Sequence, residues 1–550
     1  MMDSFKSLTV PATLNPLALA ATTLKGYALL GIVGVVLVAL LTKFLTSDKR
    51  RKHLPPGPKG LPLIGSLLEF AESDEVPKKV EEWARKYGDI FHLRLGQTDY
   101  IYLNTPAAVK ELMDKRSSKY SSRPFLPMAF GVVSAFRRML FMEYGPEWRS
   151  QRKLVHNLLN IRRSISYQPV QDFESKQVIF DMLDNPSGFY DHNRRYSASV
   201  IMLVTYGYRV TSWNDPVVQE IYSVLDNFTN ISAPGAFLVD SFPSLANWPQ
   251  WLLGNWRSKG QAMYEHDSKV YLKLWRRLKS EVDAGTAAEC FCKDFYLADP
   301  SKNGIDELGA AFAAGGLVEA GSETTSTTLN NFILAGLLFP EAIAKGQDEL
   351  DRVVGSDRLP TWDDEQNLPY IRAMVKEILR WRPVNKFGMN HALSEDDWWN
   401  GYFLPKNSVV MLNWWAIHRD PKKWENADQY IPERYLGVNE SAADLSTAAD
   451  PNGRDHWTYG AGRRICPGIH VAERSLYINI VRFVWAFDLH KPVDAATGKE
   501  IEPTMSMVRG FLSTPNQFGA DIRPRSKRHA EVVRREWSNA QREGLKWSRD

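Results

Sequence analysis

The segment Tyr459–Gly468, with the sequence YGAGRRICPG, narrows the possible folds of this 550-residue chain more than any other stretch. A thiolate that must reach a metal ion needs the backbone wrapped closely around it. Gly460, Gly462 and Gly468 permit turns and close backbone approaches that a Cβ atom would block. The segment therefore predicts that Cys466 is a metal ligand held in a tight loop.

The residues that follow support this interpretation. Pro467 favours the first turn of a helix, so we predict a helix from Ile469 onward. Cys466 then lies at a helix amino terminus, where the dipole and the free amides stabilise a negative sulfur. Arg464, two residues earlier, can pair with a carboxylate. A lone cysteine is more often a buried small hydrophobic residue, but the glycine, arginine and proline framing favours the ligand.

The other two cysteines do not suggest a second metal site. Cys290 and Cys292 form a single C-x-C with no further pair nearby, whereas zinc needs more ligands at recognisable spacing. They are interpreted as structural or incidental. Three cysteines in a chain of this length fit a reducing compartment and exclude a disulfide framework.

Charge balance argues against nucleic-acid binding. The 68 basic and 64 acidic residues leave a net charge of only +4, too small for bulk electrostatic attraction to a polyanion. The 44% hydrophobic fraction is ordinary for a globular protein with a large core. No nucleic-acid partner is expected.

An apolar run near the amino terminus predicts a membrane anchor. Residues 26–42 carry no charge and would form a helix roughly 25 Å long, the short end of a spanning helix. A cleavable signal peptide is the alternative, but its apolar region would be shorter and nearer the start. The basic cluster Lys49–Lys52 places the rest of the chain on the cytosolic side. We predict a lumenal segment 1–24 and a transmembrane anchor 25–45.

The remainder divides into three parts. Residues 46–65 are predicted to be a basic, proline-rich spacer, residues 66–526 the catalytic domain, and residues 527–550 a charged, solvated helical tail outside the core. Helical patterns outnumber strand patterns, so the fold class is mainly α with a minor β domain, preceded by one transmembrane helix. The helical patterns cover Val80–Tyr87, Ala107–Lys115, Pro146–Leu159, about Asp306–Leu338 and Leu368–Arg380, and the strand patterns Ile90–Leu95, Tyr100–Leu103 and Val409–Leu412.

The loop around Cys466 resembles the heme loop of the cytochrome P450 family, F-x-x-G-x-R-x-C-x-G, with Tyr459 in place of Phe. The resemblance extends over about residues 55–526. It implies a microsomal heme-thiolate monooxygenase with heme b bound through Cys466 as axial ligand. Gly462 and Gly468 match the glycines of the motif. Tyr459 keeps the aromatic group under the heme and adds a hydroxyl that could change the tuning of the iron.

Two further motifs match this family. Glu377 and Arg380 lie one helical turn apart, a spacing that is usually a surface ion pair. In the family they join a second arginine, here Arg434, in a buried structural triad beneath the heme. Trp148 and Arg152 lie four apart, as in many amphipathic surface helices. The resemblance places this pair at a heme propionate, together with His391 and Arg464, because buried carboxylates need cationic or donor partners.

The long predicted helix carries the sequence AGSETT at residues 320–325. Its glycines, Gly315, Gly316 and Gly321, each destabilise a helix by about 1 kcal/mol relative to alanine, so something must compensate. In the family the helix opens here to admit dioxygen, and the resemblance assigns proton delivery to Glu323 and Thr324. An adjacent acid and alcohol can relay the protons that O–O cleavage requires.

The resemblance also indicates a lipophilic substrate. The segments that would line the pocket are mainly apolar: Phe125–Phe136, Phe312–Leu317, Val384–Met389 and Phe511–Leu512. Residues Phe242–Trp256, rich in Trp and Pro, resemble the family's mobile loop that enters the membrane, and interfacial Trp suits that placement. An aromatic core patch is the alternative interpretation.

No flavin or nicotinamide fingerprint is present, so electrons are expected from partners: NADPH-cytochrome P450 reductase, with cytochrome b5 as a second candidate, at the endoplasmic reticulum membrane. A basic docking face is predicted from Arg149, Lys153, Arg162, Arg163 and Arg463. The sequences of several motifs most resemble those of filamentous-fungal family members that act in secondary metabolite biosynthesis. Desaturation, ring closure or coupling remain alternatives to hydroxylation, and a non-catalytic heme-dependent ligand carrier is the alternative outside catalysis.

Overall fold

The structure is a computed structural model that describes residue 34 and residues 48–62, 64–72, 76–232, 235–508 and 510–547. The predicted lumenal segment 1–24 and nearly all of the predicted anchor 25–45 lie outside those residues. Among the helices in the described part of the chain, none is at once long and apolar enough to traverse a bilayer.

The chain separates into two compact units. The smaller comprises residues 1–54 and 398–403; in its described part a short 3₁₀ turn, Lys49–His53, places the Arg50 guanidinium 4.4 Å from the Phe403 ring centroid. The larger comprises residues 55–397 and 404–550 and contains every residue predicted for the functional site.

Helices dominate the larger unit, which confirms the mainly α fold class. The α-helices, numbered in chain order, are α1 Leu67–Glu72, α2 Val76–Tyr87, α3 Pro106–Val109, α4 Ser117–Tyr120, α5 Pro146–Leu159, α6 Ile161–Ser166, α7 Gln168–Asp184, α8 Phe189–Tyr206, α9 Pro216–Ser232, α10 Leu238–Ser241, α11 Trp256–Asp283, α12 Phe291–Leu297, α13 Glu307–Leu338, α14 Pro340–Val353, α15 Pro369–Trp381, α16 Trp414–Ile417, α17 Ala442–Thr447, α18 Ile469–Ala486 and α19 Lys527–Glu543. The predicted helix over 107–115 is α3 followed by a wider π turn, Lys110–Lys115.

The strands form small sheets, as expected for a minor β component. They are β1 Ile90–Leu95, β2 Thr98–Leu103, β3 His391–Ala392, β4 Asp397–Trp399, β5 Tyr402–Leu404, β6 Val409–Leu412, β7 Phe487–His490 and β8 Asp521–Pro524. One sheet has the order β1-β2-β6-β3, in which only the β2–β6 pair is parallel. The pairs β4–β5 and β7–β8 form two-stranded sheets.

Helix α13 shows what compensates for its glycines. A Cβ atom at Gly315 would lie 2.4 Å from the ring of Tyr271, and one at Gly321 would lie 2.6 Å from Ile201. The glycines therefore let α11 and α8 pack directly against the backbone of α13, and this close packing offsets the lost helix propensity. The helix is continuous through residues 320–325 and starts at an Asp306 cap, whose carboxylate accepts from the Gly309 amide at 2.7 Å.

The largest hydrophobic cluster joins α7, α8, α13, α14, α15 and α18. Helix α18 begins directly after the Cys466 loop, as predicted from Pro467, and is buried from Ser475 to Ala486. The loop is thereby attached to a helix buried in this cluster, where side chains are close-packed.

From Pro55 onward, the segment predicted to be a proline-rich spacer is paired with the larger unit instead. The Pro56 carbonyl accepts a hydrogen bond from the His92 amide in β1 at 2.9 Å, and Gly65 forms a bridge with Leu95 at the other end of that strand. Proline keeps the backbone extended, and an extended segment can pair with the edge of a sheet. Residues 55–65 therefore belong to the globular unit.

The carboxyl-terminal tail is helical as predicted, but the expectation that it lies solvated outside the core is wrong. Val532, Val533 and Trp537 of α19 are buried. The Trp537 ring lies 5.4 Å from that of Phe173 and 6.2 Å from that of Phe180, both in α7. The charged residues occupy only the outer face of an amphipathic helix, and a count of charges along the chain does not show that face.

Candidate active site

The loop before α18 wraps tightly around Cys466. The Cys466 amide donates to the Tyr459 carbonyl at 2.8 Å, and a 3₁₀ turn covers Gly462–Arg464. Gly460 and Gly462 adopt positive φ values of 84° and 61°, which a residue with a Cβ rarely adopts. Backbone closure from residue 459 to residue 466 fixes the direction in which the sulfur points.

The Cys466 thiol is half-buried and forms no disulfide. Burial raises its pKa, while the Gly468 amide and the Arg152 charge oppose that rise. A Cβ added at Gly468 would lie 3.9 Å from the sulfur, so the glycine keeps this side of the thiol open. A bound metal would deprotonate such a thiol outright.

Trp148, Arg152 and Arg464, which the resemblance assigned to the heme propionates, lie together beside the Cys466 loop. The Arg464 guanidinium lies 4.1 Å from the Trp148 ring centroid, and Arg152 donates to the Ile465 carbonyl next to the sulfur. Arg464 also donates to the Ser121 and Met142 carbonyls at 2.8 and 2.6 Å. These contacts hold both guanidinium groups in place without neutralising them.

His391 joins the same cluster, and so does Arg123, which the sequence reasoning missed. The His391 Nδ1 atom lies 2.8 Å from the Tyr120 carbonyl oxygen. Burial and the charges of Arg123 and Arg464 hold the pKa of His391 well below its usual value. Arg123 precedes a proline in the chain, and nothing in its local spacing indicates a site.

The cluster carries positive charge without a matching carboxylate. In the described residues, Arg123, Arg152 and Arg464 form no ion pair with Asp or Glu, although Arg123 is buried and the other two are half-buried. Burial and mutual repulsion lower the pKa of Arg464 to about 8 and that of Arg123 to about 9. Buried cations without counter-charges are costly. A heme, with two carboxylates and an iron that binds a thiolate, would supply counter-charges for these arginines.

On α13, a stripe of small residues runs along one face. Ala320 is exposed in the middle of this otherwise largely buried helix, and a Cβ at Gly316 would meet nothing within 4 Å. Thr324, one turn after Ala320, is half-buried, and its hydroxyl donates to the Ala320 carbonyl at 2.8 Å. A flat group can therefore approach this face without steric conflict.

Glu323 is positioned by Arg194, a residue of α8 that the sequence reasoning also missed. The two side chains are 3.3 Å apart. Burial raises the pKa of Glu323, which Arg194 opposes and Asp226 reinforces. Because Arg194 lies far away in the sequence, no motif could have linked it to Glu323.

The predicted triad forms in the core. Arg380 donates two hydrogen bonds of 2.7 Å to the two carboxylate oxygens of Glu377, and both side chains are fully buried. Arg434 approaches the same carboxylate at 3.4 Å. Arg380 also donates to the His418 carbonyl at 2.8 Å. The triad thus connects α15 to the segment that leads toward the Cys466 loop.

Tyr459, the aromatic residue at the start of the loop, packs against the largest hydrophobic cluster. Its hydroxyl is buried and has no hydrogen-bond partner among the described residues. Burial, with the nearby Glu473 and Cys466, holds the pKa of Tyr459 well above its usual value. The phenol therefore stays neutral.

Comparison with known proteins agrees with this geometry. The family model for cytochrome P450 matches residues 55–519. Cytochrome P450 monooxygenase verL of Clonostachys rogersoniana is 47% identical over 516 residues, covering 93% of this chain and 94% of the relative. Cytochrome P450 monooxygenase virE of Hypocrea virens is 40% identical, covering 93% and 95%. Cytochrome P450 monooxygenase 231 of Postia placenta is 35% identical, covering 93% and 96%.

The family match spans most of the chain, and its range contains the positions of the Cys466 loop, the arginine cluster and the Glu323–Thr324 pair. Heme bound through a cysteine thiolate is a property of that family, and the residues around Cys466 fit that cofactor. The chain belongs to the cytochrome P450 family and is a heme-thiolate monooxygenase.

Proposed function

We propose that this enzyme uses dioxygen, and electrons from NADPH delivered by a separate reductase, to hydroxylate or otherwise oxidise a lipophilic small molecule in fungal secondary metabolism. The relatives described above are fungal monooxygenases, which supports the setting. The observation that carries the reaction type is the Glu323–Thr324 pair beside the open stripe of α13. A ligand carrier has no use for such a pair.

The side chains around the thiol divide the work of holding the cofactor. Cys466 would bind the iron through its thiolate, while Arg123, Arg152 and Arg464, with Trp148 and His391, would hold the two carboxylates. Bound heme supplies dioxygen reduction, with the thiolate donating electron density to the iron. Charge-assisted hydrogen bonds to fixed guanidinium groups orient the ring.

Protons are supplied from the α13 side. Because burial raises the pKa of Glu323, its carboxyl holds a proton at higher pH than a solvated glutamate does. To reach the site, the Glu323 carboxyl must first leave its ion pair with Arg194 and turn toward the open face of α13. The Thr324 hydroxyl, now donating to the Ala320 carbonyl, can accept a proton from one neighbour while donating its own to the next. Such relays contribute about 10²–10⁴-fold in rate.

Apolar side chains support a lipophilic substrate. The Phe511 ring lies 6.0 Å from that of Phe228, and the Asn385 amide donates to the Phe511 carbonyl at 3.0 Å. Two of the segments proposed to line the pocket, Val384–Met389 and Phe511–Leu512, are therefore adjacent. Phe312 is buried against Tyr271, 5.2 Å away between ring centroids, and serves as packing at the α11–α13 contact.

Surface aromatics support membrane contact. Trp248 and Trp251 are 55% and 71% exposed, and neighbouring Leu252 is 52% exposed, whereas Trp256 is buried. The core-patch alternative therefore holds only for Trp256. We place the enzyme at the endoplasmic reticulum membrane, anchored by residues 25–45 with the catalytic domain cytosolic. Trp is enriched at membrane–water interfaces, so exposed tryptophans fit this placement.

Replacing both Trp248 and Trp251 with Glu should weaken vesicle binding by a chain that begins at residue 46. Losing two interfacial indoles forfeits at least about 1.4 kcal/mol, or about tenfold in partitioning. The measurement is co-sedimentation with phosphatidylcholine vesicles. Leu297→Glu, which replaces another exposed apolar residue, is the control. Equal partitioning of the double variant and the control would contradict the proposal.

Electron transfer requires a docking surface near the thiol. Arg149, Lys153, Arg162 and Arg463 are exposed, and Arg463 lies within the Cys466 loop. Two exposed isoleucines, Ile161 and Ile165, lie among these cations. An acidic surface on NADPH-cytochrome P450 reductase, or on cytochrome b5, would match this charge.

The reaction type is tested with Thr324→Ala and Glu323→Gln. Each variant is co-expressed with the reductase and supplied with a fungal extract of pathway intermediates. Both should form product about a hundredfold more slowly than the wild-type enzyme. NADPH consumption should continue, because the reductase and heme are intact. Mass spectrometry with isotopically labelled dioxygen measures incorporation and also separates hydroxylation from desaturation or coupling.

Thr328→Ala is the matched control, since Thr328 donates the same type of bond one turn later, to the Thr324 carbonyl at 3.0 Å. It should retain product formation. Wild-type chain that consumes no NADPH with any extract would instead favour the ligand carrier.

A further inference from the structure

Asp114, on the π turn Lys110–Lys115, contacts the thiolate loop although it lies far from it in sequence. Its Oδ1 atom accepts a hydrogen bond from the Gly462 amide at 2.9 Å. A Cβ at Gly462 would lie 2.2 Å from the Met113 carbonyl oxygen. Gly462 is therefore required both by its φ and by this close approach, and the loop backbone rests directly on the turn.

The second oxygen of Asp114 holds a guanidinium that also binds the loop. Arg454 donates to Asp114 Oδ2 at 2.9 Å and to the Gly460 carbonyl at 3.0 Å. Arg454 is buried and stacks 4.2 Å from the Trp457 ring centroid. One carboxylate thus fixes both ends of the Gly460–Gly462 turn, one end directly and the other through Arg454.

The turn transmits this constraint to the sulfur. The Ile465 amide donates to the Gly462 carbonyl at 3.2 Å, and the Cys466 amide donates to the Tyr459 carbonyl at 2.8 Å. These two bonds close residues 459–466 into a loop. Among the described residues, Asp114 is the only carboxylate that accepts a hydrogen bond from this loop, and it also binds Arg454. Charge-assisted bonds of this kind are about twice as strong as neutral ones.

We propose that Asp114 is a positioning residue for the heme-iron ligand: it orients the Cys466 loop through Gly462 and Arg454 so that the thiolate stays on the iron. Asp114 also pairs with Lys110 at 3.2 Å, one turn away on the same segment. That contact is a half-exposed helical pair of little energetic value. The contacts to the loop, rather than this pair, give Asp114 its role.

The chain offers a matched control in Asp172. Like Asp114, it pairs with a lysine four residues away, Lys176 at 2.9 Å, and with a buried arginine, Arg482. Its side chain is 30% exposed, against 21% for Asp114. Asp172→Asn should therefore perturb stability about as much as Asp114→Asn does, with no contact to the loop.

The experiment compares Asp114→Asn with Asp172→Asn in the holoenzyme and in the heme-free chain. Asparagine keeps one acceptor for Gly462 but presents an amide donor to Arg454. We expect the reduced carbonyl complex of Asp114→Asn to contain at least about threefold more of the species without the thiolate signature. Backbone amides of residues 460–466 in the heme-free chain should exchange about tenfold faster.

Asp172→Asn should lower only the thermal midpoint. Arg454→Lys, which can reach one of the two acceptors but not both, should give a smaller change of the same kind and serves if Asp114→Asn does not fold. Lys110→Ala should leave the carbonyl spectrum unchanged. Identical carbonyl spectra and loop exchange rates for Asp114→Asn and Asp172→Asn would overturn the proposal.

Discussion

Cys466→Ala should abolish the thiolate signature of the reduced carbonyl complex and reduce monooxygenase turnover below detection. Alanine leaves no sulfur at the end of the closed loop, and neither of the other two cysteines can replace it. Cys290 and Cys292 are buried in a different hydrophobic cluster, between α8, α11 and α12. Electron donation from the sulfur favours O–O cleavage, so without it the monooxygenase reaction should not proceed.

The measurement is the carbon monoxide difference spectrum of the purified chain, with heme content determined in parallel. Cys290→Ala and Cys292→Ala are the controls, and each should retain the signature while losing some stability from the core cavity. Burial raises the pKa of Cys292 well above its usual value, so its thiol stays protonated and is a poor ligand. A thiolate signature in Cys466→Ala would show that the ligand assignment is wrong.

Glu377→Ala should destabilise the chain by about 3–5 kcal/mol, because it leaves Arg380 buried without its counter-charge. Domains typically have only about 5–15 kcal/mol of stability in total. Arg380 would still donate to the His418 carbonyl, but both strong bonds to the carboxylate would be lost. We expect low yields of holoenzyme and a reduced thermal midpoint.

The control is Glu433→Ala in the neighbouring motif. Glu433 pairs with Lys345, and that lysine is 55% exposed, so its loss should cost no more than about 1 kcal/mol. Urea unfolding followed by tryptophan fluorescence measures both variants. If Glu377→Ala unfolded at the same urea concentration as Glu433→Ala, the triad would not be a main source of stability in this part of the core.

The arginine cluster links heme binding to the stability of the folded chain. Arg464, Arg152 and Arg123 repel one another in the heme-free chain, and the pKa values of Arg464 and Arg123 fall to about 8 and about 9. Two heme carboxylates would offset that repulsion, so heme binding should stabilise the folded state. The cofactor is therefore part of the fold as well as part of the chemistry.

Much of the fold could be predicted from local patterns. Helix α13 begins at its Asp306 cap and ends at Leu338, as the sequence indicated, and α18 starts directly after the Pro467 turn. Two predictions about peripheral segments were wrong. Pro55, Pro56 and Pro58 suggested a spacer, and the charges of residues 527–550 suggested a solvated tail. In both cases the deciding contact is with a distant segment, β1 or α7, which local composition does not show.

The sequence by itself determined what depends on neighbouring residues: the glycine-framed loop of Cys466, the Glu377–Arg380 turn and the Glu323–Thr324 pair, since spacing along a helix or a tight turn fixes these geometries. Only the tertiary structure decided the partners that complete the site. Arg123, Arg194 and Asp114 come from separate elements and carry no local signature, because their roles arise from burial beside an unmatched charge or a backbone amide. Long-range packing brings these three residues to the site, and the low dielectric that it creates strengthens their interactions there.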